Sequence, residues 1–122
     1  MYHKVMIIAR PKYLERLISS KGNRMVKIIT GIRRCGKSFL IFELFHSYLN
    51  DIGVDDDHII EVALDDRSNM EYRNPDRLLE YIKNRIIDKN IYYVLLDEVQ
   101  MVDDFVGVLN SLLHIRNVDA YV

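Results

Sequence analysis

The sequence predicts an α/β fold, a parallel sheet covered by helices on both faces, and three observations lead there. Short β-branched runs alternate with segments of helical spacing along the chain. The run Ile91-Tyr92-Tyr93-Val94-Leu95-Leu96 is almost unbroken apolar, the pattern of a strand buried on both faces. A glycine-bearing segment, Gly31 to Ser38, joins another such run to a helical pattern.

After an extended start, Pro11 to Ser20 reads as a short helix with Pro11 in its first turn and Lys21-Gly22-Asn23 as its stop. Met25-Val26-Lys27-Ile28-Ile29-Thr30 is the strand before the glycine segment. The helix that follows, to about Asn50, carries Phe39, Phe42, Leu44, Phe45, Tyr48 and Leu49 at helical spacing and stops at Asn50-Asp51-Ile52-Gly53. His58 to Leu64 is the next strand. Asn74-Pro75-Asp76 opens a helix whose Leu78, Leu79, Ile82, Ile86 and Ile87 form an apolar stripe. The Ile91 run comes next, then a helix from about Asp104 to Arg116, with no repeats and no low-complexity linker.

The segment Gly31-Ile32-Arg33-Arg34-Cys35-Gly36-Lys37-Ser38 fits the Gly-x-x-x-x-Gly-Lys-Ser/Thr pattern of a phosphate-binding loop, in the strand-to-helix context that the pattern requires. Gly31 and Gly36 let the backbone turn tightly, so that successive N–H groups converge on a phosphate at the positive end of the following helix. Lys37 is expected to reach the β- and γ-phosphates, and the Ser38 hydroxyl to take one position on Mg²⁺. Arg33, Arg34, Cys35 and Phe39 complete the expected nucleotide-binding set. The alternative is a chance basic loop before a helix.

The Ile91 run ends in Asp97-Glu98, so its C-terminal end delivers two carboxylates to the sheet edge where ligands of open α/β sheets collect. This is the Walker B pattern. Asp97 is placed to hold Mg²⁺ and Glu98 to orient or deprotonate an attacking water. A glutamate beside the magnesium-binding acid favours ATP hydrolysis over phosphoryl transfer to a small molecule, because a hydrolase must hold its water in line. A glutamate that caps the next segment or pairs with an arginine is the alternative.

On these residues, with Val99-Gln100 and the helical pattern of Phe105 to Ile115, the chain resembles the prokaryotic AAA-type ATP-binding proteins that join this domain to a C-terminal domain of unknown function. Arg33-Arg34 inside the loop is a more specific mark than the generic pattern. The resemblance implies a P-loop NTPase fold, three-layer α/β/α, in which an additional strand, Val118-Asp119-Ala120-Tyr121-Val122, lies between the phosphate-loop strand and the Walker B strand. It implies ATP and Mg²⁺ as ligands. It also implies a chain truncated after the fourth core strand, residues 1–122 being the N-terminal part of the ATP-binding domain, without the sensor residue, the fifth strand or the C-terminal domain. Losing the fifth strand is expected to leave the phosphate-loop strand at an exposed edge, inviting self-association.

By the same likeness, Asp65 and Asp66 are candidates to restrain Glu98, with a solvated loop start as the alternative. Gln100 either senses the γ-phosphate or begins a loop. Arg67, Arg73 and Arg77 are surface arginines from which a finger to a neighbouring subunit could come. Arg10 and Tyr13 are candidates for the adenine pocket, with core packing the other reading of Tyr13.

At 122 residues and 49% apolar, the chain can bury one core and is expected to be one domain. No apolar stretch is long enough to span a bilayer, and Met1 to Arg10 is a poor secretion signal, so a cytoplasmic location and no membrane partner are expected. The single Cys35 excludes an internal disulfide and serves as small filler or as a redox-sensitive thiol. His3, His46, His58 and His114 lack the spacing of a zinc site.

Net charge is −1, yet residues 1–37 carry ten bases against Glu15, +9, leaving −10 on the remainder. Besides ATP, that basic third either neutralises the acidic remainder of the same domain, the favoured reading, or meets nucleic acid, for which no aromatic interleaving speaks. A homo-oligomer and an unidentified protein partner are both compatible with the sequence. Beside the hydrolase stand two alternatives, a nucleotide-dependent switch or scaffold with negligible turnover and a nucleic-acid-stimulated ATPase.

Overall fold

The computed structural model describes residues 5–9 and 11–122, Arg34 by its backbone alone. Arg10, an expected adenine contact, and the side chain of Arg34 lie outside the described residues.

Five parallel strands form one sheet: β1 (Val5–Ile8), β2 (Val26–Ile29), β3 (Ile59–Ala63), β4 (Tyr92–Asp97) and β5 (Val118–Tyr121), in the order β1-β2-β5-β4-β3. β5 therefore lies between β2 and β4, as the resemblance implies. It is joined to β2 by Val122 N–H donating to the Lys27 carbonyl and Ile29 N–H to the Val122 carbonyl, each at 2.8 Å.

Helices cover both faces, and the two-residue period of the strands decides which side chain meets which layer. Tyr92, Val94 and Leu96 of β4 and Ile60 and Val62 of β3 join the core under α4 (Pro75–Arg85) and α5 (Phe105–Leu113), with Leu78, Ile82, Val108 and Leu112. The alternate positions Tyr93, Leu95, Ile59 and Tyr121 join a second core with Leu17 of α1 (Tyr13–Ser20) and with Phe45 and Leu49. The three-layer α/β/α arrangement follows.

β2 is not an edge strand. β1 pairs with it in parallel over its whole length, Val5 opposite Val26 through Ile8 opposite Ile29, so the edge expected there is covered by the chain's own start. Only non-local pairing decides this, which is why the sequence pattern did not show it.

Two apolar patterns are also corrected. The helix after the glycine segment runs as α2 (Arg34–Ser38), a π-helical stretch Phe39–Phe45 and α3 (His46–Asp51). The wider π winding re-aims the stripe, burying Leu40, Ile41, Phe45 and Leu49, while Phe39 and Leu44 are exposed. In α4 the helix stops at Arg85; Ile86 just beyond it still packs half-buried against the core, and only Ile87, 83% exposed, falls outside the stripe.

Three polar clusters fasten the sheet. Lys27, one of the ten bases of residues 1–37, is fully buried at the strands' N-terminal end, where its ammonium donates to Asp119 Oδ1, to Asn23 Oδ1 (3.0 Å) and to the Met25 carbonyl (3.0 Å), a base neutralised by an acid of the remainder. Asp119 Oδ2 accepts from Tyr121 Oη (2.6 Å) and Gly22 N–H (2.9 Å). Burial lowers the Lys27 pKa, against the pull of Asp119, and burial also pushes the Tyr121 phenol far upward.

On the opposite edge Glu61 of β3 faces α3, where its Oε1 lies 2.5 Å from His46 Nδ1 while His46 Nε2 meets Asp56 Oδ1 at 2.8 Å. Burial opposes protonation of His46, but its bonds to Asp56 and Glu61 prevail and raise its pKa. His58 sits between Asp55 (2.6 Å) and Asp88 (2.9 Å), whose hydrogen bonds raise its pKa too.

Candidate functional site

The C-terminal ends of β2, β3 and β4 share one edge of the sheet. From β2 the chain passes through Thr30 into Gly31, whose φ of +76° is costly for any residue with a Cβ. A Cβ on Gly31 would lie 3.1 Å from the hydroxyl of Tyr13, which itself donates to the Thr30 carbonyl at 2.8 Å. Tyr13 thus braces the entrance to the loop from α1, a role absent from the sequence reading because seventeen residues separate the partners. Gly36 lies on α2, where an added Cβ would meet the Ile32 side chain at 3.1 Å.

Arg33 is extended and exposed at the N-cap of α2, and its side chain makes no capping bond to that helix. The first amides of a helix have no intrahelical partner, and a phosphate is one group that can satisfy them. Cys35 is an exposed free thiol, Lys37 is half-buried, and Phe39 is 56% exposed just past the loop.

Asp97 shares parity with Tyr93 and Leu95, so its side chain points to the face that α2 covers. There Asp97 Oδ2 accepts a hydrogen bond from the Ser38 hydroxyl, joining residues 59 apart. Asp97 is 1% exposed, and its Oδ1 is buried without a hydrogen-bond partner among the described residues. A buried carboxylate oxygen left so costs free energy. A hard divalent cation shared by this carboxylate and the hydroxyl would satisfy it, and Ser38 and Asp97 are an all-oxygen donor pair of the kind Mg²⁺ prefers.

Glu98 follows with φ 59 and ψ 44, left-handed for a residue with a side chain, and is 8% exposed. Its Oε1 accepts from Gln100 Nε2 at 2.6 Å. β3 pairs with β4 so that Ala63 stands opposite Asp97, which brings Asp65 and Asp66 to the same edge, as expected.

Asp66, however, is committed locally. Its Oδ1 accepts from the backbone amide (2.9 Å) and hydroxyl (2.8 Å) of Ser68, and these bonds lower its pKa. Among the candidate arginines, Arg73 turns inward, donating to the Leu64 carbonyl at 2.8 Å, and Arg77 lies 3.6 Å from Glu71 at the surface.

The family model for the AAA domain matches residues 23–122, from just before β2 through β5. The chain belongs to the AAA domain family. An AAA domain is a nucleotide-binding, ATPase-like unit, and the parallel sheet with helices on both faces has that family's fold. An uncharacterized protein of Haemophilus influenzae is 26% identical over 117 residues, 95% of this chain and 29% of that protein. An uncharacterized protein of Methanocaldococcus jannaschii is 31% identical over 93 residues, 70% of this chain and 19% of that protein. The chain thus spans less than a third of the length of these curated relatives. No solved structure matches. Among the described residues no helix is long and apolar enough to cross a membrane.

Proposed function

We propose that this AAA domain binds Mg-ATP and hydrolyses it. The observation that carries the reading is the Ser38–Asp97 pair with its orphaned, buried carboxylate oxygen at the mouth of the loop. In this reading the amides of residues 31–38 and Lys37 hold the phosphates, with Arg33, Arg34, Cys35 and Phe39 flanking the nucleotide. Ser38 and Asp97 hold the cation, which when bound neutralises developing charge on the phosphates. Glu98 orients and deprotonates the attacking water.

The chain acts as one ATP-binding unit of a cytoplasmic protein, and what its turnover drives belongs to the parts that the longer relatives carry in addition.

Calorimetric titration of Mg-ATP into the wild type and Lys37→Ala, followed by turnover of the wild type and Glu98→Gln, tests the proposal. Saturable binding lost in Lys37→Ala and turnover lost in Glu98→Gln are expected. Binding that Lys37→Ala leaves intact refutes the loop assignment. Turnover that Glu98→Gln leaves intact refutes the role of Glu98, and hydrolysis that is no more than a slow single turnover in both proteins favours a nucleotide-dependent switch.

A further inference from the structure

We infer that Gln100 is a positioning residue for Glu98, setting the orientation of the carboxylate from which hydrolysis proceeds; the inference rests on the function proposed above. Glu98 occupies the N-cap of the short turn Val99–Met101. Asp66, Asn74 and Asp104 occupy the same position before their own helical segments, and each turns its side chain back to accept from backbone amides, of Ser68, of Asp76 and Arg77, and of Gly107. Glu98 makes no such capping bond.

The difference matters because Glu98, like Asp104, is left-handed. At Asp104 the capping bond offsets part of that cost. At Glu98 no capping bond offsets it, and Gln100 Nε2 donates to its Oε1 at 2.6 Å.

Gln100 itself is exposed, whereas Glu98 beside Asp97 is buried, so the bond reaches inward from the surface to the acid and fastens it at the end of β4. Glutamate has a long side chain with much rotamer freedom to lose. A general base that must face one water in line gains from having that freedom removed beforehand. A glutamine amide suits the task, because it donates at every working pH and does not titrate against the acid it holds.

The test uses the intact protein with Gln100→Ala, Gln100→Glu, Glu98→Gln and the double variant Glu98→Gln/Gln100→Ala. Turnover, Mg-ATP affinity and melting temperature are measured for each. Gln100→Ala is expected to lower kcat about tenfold or more, below the ceiling of roughly 10²–10⁴ that a positioned base supplies, with Mg-ATP affinity and melting nearly unchanged. Gln100→Glu, which replaces a donor by a like charge, is expected to lower it further. In the Glu98→Gln background, Gln100→Ala is expected to add nothing.

An unchanged kcat, an equal fall in both backgrounds, or a loss that appears as weakened ATP affinity would each overturn the inference. Should Glu98→Gln leave turnover intact, it is the hydrolytic reading that fails. The pairing is then judged in the nucleotide-free protein from the side-chain amide resonances of Gln100. A shift on Glu98→Ala supports the contact, and resonances that stay in place overturn it.

Discussion

The left-handed backbone of Glu98 predicts that glycine at this position gives a more stable protein than alanine. With φ 59 and ψ 44, a Cβ at residue 98 crowds the following carbonyl, a cost of roughly 1–2 kcal/mol that glycine does not bear. Against this, glycine loses about 0.5–1 kcal/mol more backbone entropy on folding than alanine. Glu98→Gly is therefore expected to exceed Glu98→Ala by about 0.5–1 kcal/mol, both variants having lost the bond to Gln100. For a chain of 122 residues that is about 2–5 °C in melting temperature.

Urea and thermal denaturation of the pair give the number, with Glu80→Gly and Glu80→Ala on the exposed face of α4 as the control. There alanine is expected to win by about 1 kcal/mol. A position 98 that behaves like position 80 would refute the reasoning, because it would mean that Glu98 is not held left-handed in solution. Neither variant at 98 is expected to hydrolyse ATP, so the more stable one would show that the strain is kept for the carboxylate.

Removing one partner of the buried Lys27–Asp119 pair, as in Lys27→Met, is expected to cost about 3–5 kcal/mol in urea denaturation, while the double variant Lys27→Met/Asp119→Leu recovers much of it; a double variant no more stable than the single one would count against the pair. His46 and His58 have raised pKa values in the folded state, so their contribution is complete below about pH 6.5, the unfolded value, and is lost as pH rises through the folded values. Denaturation midpoints are therefore expected to fall as pH rises above about 6.5 in the wild type, and to fall less in His46→Gln/His58→Gln. Ile82→Ala, in the core beneath α4, is expected to destabilise by about 2–5 kcal/mol, whereas Ile87→Ala is expected to stay within about 0.5 kcal/mol; equal losses would restore the longer apolar stripe.

Much of the site was legible because it is written in local patterns. The β-branched run before Gly31, the fixed loop residues and the apolar run ending in Asp97-Glu98 each occupy one stretch of chain. The strand's period of two then settles that Asp97 shares a face with Tyr93 and Leu95. Gln100 was seen but given other roles, since a hydrogen bond between i and i+2 depends on the backbone turn at Glu98 and no propensity for glutamate signals a positive φ. Asp66 was named as a restraint because sequence position puts it at the right edge, yet a nearby Ser68 captures its oxygen.

By itself, then, the sequence determined the alternation of strands and helices, the phosphate-loop pattern, the paired acids and the likeness to AAA-type proteins, all carried by spacing within short windows. Only the tertiary structure decided that β1 covers the flank of β2, that Lys27 is buried with Asp119 as its partner, that Ser38 meets Asp97, and that Glu98 is left-handed and held by Gln100. Most of these depend on which distant segments pack together. Their free energy comes from burial and from satisfying polar groups across the sheet, which no local pattern encodes.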